Sequence, residues 1–411
     1  MQSWPAPVLP ELPGRGPVPR LHDTATGTNV EASPDGVATL YICGITPYDS
    51  THLGHAFTYV AFDTLGRVWR DAGLQVRYAQ NVTDVDDPLL ERAIATGVAW
   101  EDLAADQIGL FRADMESLRV IPPEHYVGVV ESIGLVVKAV VRLLATGAAY
   151  RVDTDVYADL SVDPRFGSLS HLGAEEMDAF FAERGGDPER AGKRHPLDPL
   201  LWRGARVGKP SWDGRSLGRG RPGWHIECAA IAEHYLGVPF LVQGGGTDLI
   251  FPHHEMSTSH LRLMTSCPDP AAVFIHTGLV GFEGHKMSKS RGNLVFVSRL
   301  LADGVPAGTI RLAILAHHYA QDWEYTGADL ATAGERLASW RAAAATTPDG
   351  GSGHEPGSGA RETLARMREA LADNLDTARA LTAVDDWAET GTAADGVVLD
   401  AVDALLGIDL R

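Results

Sequence analysis

Cysteine is nearly absent: the 411 residues hold three, Cys43, Cys228 and Cys267. Three thiols cannot build a disulfide framework, and they suit a reducing compartment. No apolar run approaches the roughly 20 residues that cross a bilayer. Residues 1–20 are rich in Pro and lack a basic-then-apolar leader pattern. The chain is therefore expected in the cytoplasm, away from membranes. Cations are short as well, 35 Lys and Arg against 54 Asp and Glu, for a formal net charge of -19. That balance excludes a broad, sequence-independent grip on nucleic-acid phosphates, though not a local basic patch. Lysine is the scarcest cation, with five residues in all, two of them at Lys286 and Lys289. A compact, mobile ammonium suits a departing phosphate better than a rigid guanidinium fork does. There is no internal repeat.

What is present is ordinary globular material, 45% hydrophobic, in a chain long enough for two or three domains. Its organising stretch is Tyr41 to His55. An apolar run, Ala38 to Ile42, reads as a buried strand. A turn rich in Gly, Thr, Pro, Asp and Ser follows, then a helical pattern from His55 to Arg70 with Phe57, Val60, Ala61, Leu65 and Val68 on one face. A strand, a polar turn and a helix N-terminus make a site for anions, because free N–H groups and the helix dipole point at the turn. The turn carries His52 and His55 as donors and Cys43 as a possible metal ligand.

Val76 to Val82 reads as a second strand ending in the polar turn Thr83 to Asp87. Alternation of this kind predicts an α/β fold with a parallel, doubly wound sheet and ligands at the carboxyl ends of its strands. Residues 1–36 read as an arm with little core. Residues 37–150 and 212–270 form the nucleotide-binding domain, with an amphipathic helix across 120–150. Residues 151–211 form an insertion within a stretch, 151–223, that is short of apolar periodicity. Residues 271–335 carry the lysine run, and 336–411 form a small helical bundle interrupted by a Gly/Ser linker. The run Gly218 to Gly223 matches a dinucleotide pattern, but no strand precedes it and Pro222 interrupts it, so it reads as a turn. His317 and His318 read as residues on a helix face.

His52-Leu53-Gly54-His55 resembles the first signature of the class I aminoacyl-tRNA synthetases, and Lys286-Met287-Ser288-Lys289-Ser290 is their second signature unaltered. The resemblance implies a Rossmann-like catalytic domain with an inserted segment and a C-terminal helical domain. It also implies that His52 and His55 hold ATP, with Mg2+ as its counter-ion, and that Lys286 and Lys289 stabilise the departing pyrophosphate. Within the family, Tyr41 to Gly44, Gly223 to Cys228 and Phe251 to Glu255 are similar to the cysteinyl-tRNA synthetases. By spacing alone, Cys43, Cys228 and His253 are more readily explained as ordinary buried side chains than as metal ligands. The resemblance implies one zinc ion on these three, with Ser257 where the synthetases place a fourth ligand, a glutamate. Three protein ligands leave a position open for a substrate thiolate, and a metal–thiolate bond separates cysteine from serine without an editing domain. Cys267 reads as a plain thiol.

The same resemblance implies that Gly44, Ile45, Thr46, Thr58, Asn81, Val82, Thr83, Trp224, Gly246, Thr247, Asp248 and Val280 contact ATP, cysteine or their adenylate. From the residues alone, Trp224 reads as a core aromatic and the threonines and Asn81 as turn or cap residues. Asp248 is placed for ribose hydroxyls.

Residues 360–411 are poor in cations: after Arg379 there is only Arg411. That is a weak platform for RNA. The run Glu183-Arg184-Gly185-Gly186-Asp187-Pro188 is similar to a branch of the family that joins cysteine to the amine of a small sugar, glucosaminyl-inositol. The bare reading of that run is a surface turn. The expectation is thus a monomeric ligase that makes cysteinyl-adenylate and needs no nucleic acid; a cysteinyl-tRNA synthetase and a non-catalytic nucleotide-binding paralogue are the alternatives. Residues 183–193 are expected to close over the nucleotide, hinged at Gly185 and Gly186, with Arg184, Arg190 and Lys193 facing phosphate.

Overall fold

A computed structural model describes residues 1–34, 36–48, 51–287, 291–345, 357–390 and 396–411. Lys289 of the lysine run lies outside these described residues. The chain begins with a hairpin, β1 (Arg20–Asp23) and β2 (Thr28–Glu31). The arm before residue 37 contributes a few anchors to the core: Trp4, Leu21 and Ala32 are buried, and the Trp4 indole donates to the Val120 carbonyl at 2.7 Å. Isolated apolar residues between prolines show no periodicity, so their burial leaves no mark in the sequence.

Then come β3 (Val37–Ile42), α1 (Leu53–Asp71), β4 (Gln75–Val82), α2 (Asp87–Thr96), α3 (Trp100–Ser117), β5 (His125–Gly128) and α4 (Val129–Ala145). The helix expected across 120–150 is only α4. Pro122 and Pro123 cannot continue a helix, and His125–Gly128 pairs with β4 instead.

The inserted stretch folds into α5 (Ala174–Glu183) and a five-stranded sheet. Its strands are β6 (Ala149–Val152), β7 (Asp155–Ala158), β8 (Leu200–Gly204), β9 (Trp212–Asp213) and β10 (Arg219–Pro222), in the order β6-β7-β8-β10-β9. The run Gly218 to Gly223 is thus largely strand rather than turn. Arg-Gly-Arg-Pro shows no alternation, yet Arg221 is buried on Asp87 at 2.5 Å. Gly220 is pressed so close to Trp202 that a Cβ would sit 2.4 Å from the indole nitrogen.

Next are α6 (Trp224–Leu236), β11 (Phe240–Gly246), α7 (Glu255–Thr265) and β12 (Ala271–Thr277). The central sheet runs β12-β11-β3-β4-β5 with every pair parallel. This is the doubly wound α/β sheet expected. The strand order reverses between β3 and β11, which opens a crevice at their carboxyl ends.

Past it lie β13 (Val280–Phe282), β14 (His285–Lys286), α8 (Val297–Ala302), α9 (Ala307–Leu315) and β15 (Trp323–Glu324). His317 and His318 follow the end of α9 rather than sitting on its face, and the His317 ring stacks on Trp323 at 3.8 Å. The C-terminal helices are α10 (Gly327–Ala345), α11 (Ser358–Ala372), α12 (Thr377–Thr390) and α13 (Gly396–Ala401). The chain end is tied to the back of α1: Arg67 donates to the carbonyls of Asp403 and Ala404 at 2.9 and 3.1 Å, and Arg311 to that of Leu406 at 2.6 Å. Both guanidiniums also pair with buried Asp63. Burial would push that carboxyl up, but the two cations outweigh it and hold it below its ordinary value. No described helix is long and apolar enough to cross a membrane.

Candidate active site

A cleft of about 520 Å3 opens at the switch point, within the range of small-ligand pockets. One wall is the start of α1. His52 is its N-cap: Nδ1 accepts the Gly54 N–H at 3.1 Å. That bond leaves Nε2 to carry the proton. The His52 and His55 rings stack at 3.9 Å. Both are held neutral by burial, His52 well below its ordinary value and His55 pushed down to about 4. The pair therefore offers N–H donors rather than fixed cations, and the positive character of this wall comes from the helix terminus itself. The two signature regions are laced together, with Leu53 N–H donating to the Val295 carbonyl at 2.9 Å and Val297 N–H to the Thr51 carbonyl at 3.0 Å.

The shift of His55 has a measurable consequence. Between about pH 6.5 and 4 the unfolded chain binds a proton on this group that the folded chain does not. Its contribution to stability is complete above that window and is lost as pH falls through it, at roughly 1.4 kcal/mol per unit. The urea midpoint of His55→Asn should accordingly fall less steeply than that of the unmutated protein across the same window. Parallel curves would contradict the buried neutral imidazole.

The opposite wall is the end of β11. Gly244 meets the Phe62 ring, where a Cβ would come within 2.3 Å, so the glycine lets α1 pack against the strand. Asp248 stands at the mouth, and its carboxylate accepts from Lys286 Nζ at 3.0 Å. Thr58 Oγ1 lies 2.8 Å from Thr277 Oγ1 beneath the same wall.

The floor holds a cluster of soft donors. One ligand atom each from Cys43, Cys228 and His253 lies within 4.8 Å of the others, and all three residues are buried. The two sulfurs are 3.8 Å apart, and His253 Nε2 is 3.2 Å from Cys228 Sγ. Burial opposes charge on Cys228, but its bond from Cys43 and the nearby His253 outweigh burial and hold the thiol well below its ordinary value; Cys43 is pushed up by burial and by Cys228. Two thiols and an imidazole at this spacing, one thiol already inclined to ionise, fit a thiophilic divalent metal. Ser257 does not join them: its hydroxyl accepts from Gln243 and donates to the His254 carbonyl, each at 3.3 Å. His254, which the sequence did not single out, stands closer, with Nε2 3.1 Å from Cys43 Sγ and Nδ1 bonded to His276 at 2.7 Å. The adjacency of two histidines in Phe251 to Glu255 was the available signal. Trp224 stacks on His253 at 4.4 Å.

Of the expected contact residues, Cys43, Gly44, Ile45, Thr46, His52, His55, Thr58, Trp224, Gly246, Asp248, Val280 and Lys286 line the cleft. Asn81, Val82 and Thr83 lie behind the lining, and Thr247 is beside it. Asn81 braces the cleft from below, accepting from Gly44 N–H at 2.8 Å and Tyr41 Oη at 3.2 Å and donating to Thr83 at 3.2 Å. Gly44 has no alternative there, since a Cβ would stand 1.5 Å from the Asn81 carbonyl oxygen. Tyr48, Tyr59, Leu279 and Met287 line the cleft without having been singled out.

In the segment 183–193 the three cations expected to face phosphate are engaged within the protein. Arg190 pairs with Asp153 at 2.8 Å and Lys193 with Asp187 at 3.0 Å, the latter cation almost fully buried. Arg184 donates to main-chain carbonyls. Arg190 and Lys193 are thus paired with carboxylates, whereas Arg184 keeps its charge and spends its donors on neutral carbonyls. Gly185, at φ +88°, and Gly186, whose Cβ would strike the Phe181 carbonyl oxygen at 2.5 Å, form a tight stop to α5.

Residues 29–335 match the family model described as tRNA synthetases class I (C) catalytic domain. The chain belongs to this class I synthetase family. Two relatives, from Beutenbergia cavernae and Xylanimonas cellulosilytica, are each 60% identical with full coverage of both chains, and each is named L-cysteine:1D-myo-inositol 2-amino-2-deoxy-alpha-D-glucopyranoside ligase. Among solved structures, a Mycobacterium tuberculosis methionyl-tRNA synthetase in complex with methionyl-adenylate aligns at a TM-score of 0.62 and 16% identity, over 90% of this chain and 88% of that one. At that identity the likeness speaks for the class I synthetase fold alone.

Proposed function

We propose that the chain is an ATP-dependent ligase of mycothiol biosynthesis that joins L-cysteine to the amine of glucosaminyl-inositol through cysteinyl-adenylate. The observation that carries this reading is the donor set Cys43, Cys228 and His253 on the floor of a cleft walled by the α1 N-terminus and Lys286. Full-length similarity to ligases of that name supports it. The metal the set fits best is zinc, and when bound it would hold the substrate thiolate at its open position and so select cysteine over serine.

The rest is done by the chain's own residues. ATP lies across the switch point, its ribose hydroxyls on the Asp248 carboxylate and its adenine against Val280, Leu279 and Met287. The N–H groups of His52, His55 and the first turn of α1 meet the phosphates. A carboxylate oxygen of cysteine attacks the α-phosphorus and pyrophosphate leaves, with Lys286 and Lys289 meeting the negative charge on its oxygens. Lys286 must exchange its partner Asp248 for phosphate in this step. The sugar amine then attacks the adenylate carbonyl carbon, AMP leaves, and the amine gives up a proton.

A small amine needs no anchoring surface beyond the cleft. The C-terminal helices are committed to packing on α1 and α9, and the chain is anionic. This supports a ligase that binds no nucleic acid. The test is cysteine-dependent ATP–pyrophosphate exchange without an acceptor, followed by AMP release when the amine is added. No exchange with cysteine and ATP would end this reading.

A further inference from the structure

We infer that Arg184 is a positioning residue for adenylate formation, holding the segment that carries Asp248 and His253 at its working geometry. That segment leaves β11 at Gly246, makes a 3-10 turn over Thr247–Leu249 and continues through Ile250–His254. It links the carboxylate at the mouth of the cleft to the imidazole on its floor with four residues between them, Phe251 among them in an extended conformation. A kinked segment of this kind leaves carbonyls outside any regular ladder. Arg184 Nη1 takes two of them, donating to the Asp248 carbonyl at 2.8 Å and to the Phe251 carbonyl. One guanidinium thus fixes the main chain at the nucleotide end and two residues before the metal ligand.

The rest of the Glu183 to Pro188 run aims this side chain. Gly186 N–H closes on the Phe181 carbonyl at 2.8 Å, ending α5 at Glu183 with Arg184 as its C-cap. Asp187 is pinned by Tyr157 Oη at 2.5 Å and Lys193 Nζ at 3.0 Å. The Arg184 guanidinium lies over the Phe180 ring, 4.6 Å from its centre. The inserted sheet and α5 are therefore coupled to the cleft through Arg184, without touching a substrate.

The inference rests on the proposed function for its readout, and the test keeps the two apart. Exchange by the unmutated enzyme tests the function; only the difference between variants tests Arg184. Arg184→Met keeps an apolar stem over Phe180 and removes both donors, whereas Arg184→Lys keeps the charge and can still donate twice. Losing charge-assisted hydrogen bonds to carbonyls predicts a rise in KM for ATP of about tenfold to a hundredfold in Arg184→Met. The fall in kcat should be smaller, and bound metal should be lost faster to a mild chelator. Arg184→Lys should recover most of both. Should Arg184→Met fail to fold, Asp187→Asn takes its place, loosening the turn that aims Arg184, with changes in the same direction expected. Unchanged KM for ATP and unchanged metal retention in the folded variant would overturn the inference. So would a loss of activity that only follows the folded fraction.

Discussion

Cys43→Ser should lose bound metal and cysteine-dependent adenylate formation together. The substitution is nearly isosteric, and a serine hydroxyl can still reach His254 Nε2, which lies 3.1 Å from the native sulfur. The strand end is also held from outside the side chain, through Tyr59 Oη donating to the Cys43 carbonyl at 3.2 Å. The fold should survive, so the effect isolates the soft ligand. Losing even an outer partner of a metal ligand costs about 10- to 100-fold; loss of a direct ligand should reach at least the upper end of that range in exchange rate. Cys267→Ser is the internal control, because Cys267 lies outside the cluster with its thiol on the Asp269 carbonyl. Metal analysis and pyrophosphate exchange on the same samples decide the matter. One metal per chain with normal exchange in Cys43→Ser would remove the cluster from the mechanism.

The second large effect is expected for Lys289→Ala. Its partner in the run, Lys286, already reaches into the cleft mouth on Asp248, and the family resemblance of the run implies the same task for Lys289. Charge on the pyrophosphate oxygens grows mainly as the bond to the α-phosphorus breaks, so the lost interaction belongs to the transition state. Adenylate formation in a single turnover should slow by about a hundredfold to a thousandfold, the range seen when one preorganised donor is removed. Cysteine binding should scarcely change. Equal loss in cysteine affinity and rate would mean that the run only supports the fold.

The central sheet was legible because its strands are buried runs that end in polar turns: Val37–Ile42 and Gln75–Val82 carry their own boundaries. The floor of the cleft was legible for a different reason. Cys43, Cys228 and His253 are separated by long stretches of chain, and no spacing rule joins them; their family likeness brought them together, and the fold places them within 4.8 Å. What escaped the sequence was set by tertiary contact. Strand β10 is polar and buried, its Arg221 satisfied by Asp87 from another domain layer. Asn81 looks like a ligand-facing residue at a strand end, yet its side chain lies behind the lining, bonded to Gly44, Tyr41 and Thr83 and in reach of the Cys228 thiol. The Gly185–Gly186 pair suggests freedom, whereas Gly186 is glycine because nothing larger fits beside Phe181. In each case the residue type was read correctly and the neighbour that decides its role was invisible.

The claim that matters most is the acceptor. Enzyme, ATP and cysteine should be supplied in parallel with glucosaminyl-inositol or with cysteine-specific tRNA, and the products followed as amide and as charged tRNA. Amide with stoichiometric AMP is expected from the amine, and no charged tRNA. Charging of tRNA at a rate comparable to amide formation would contradict it.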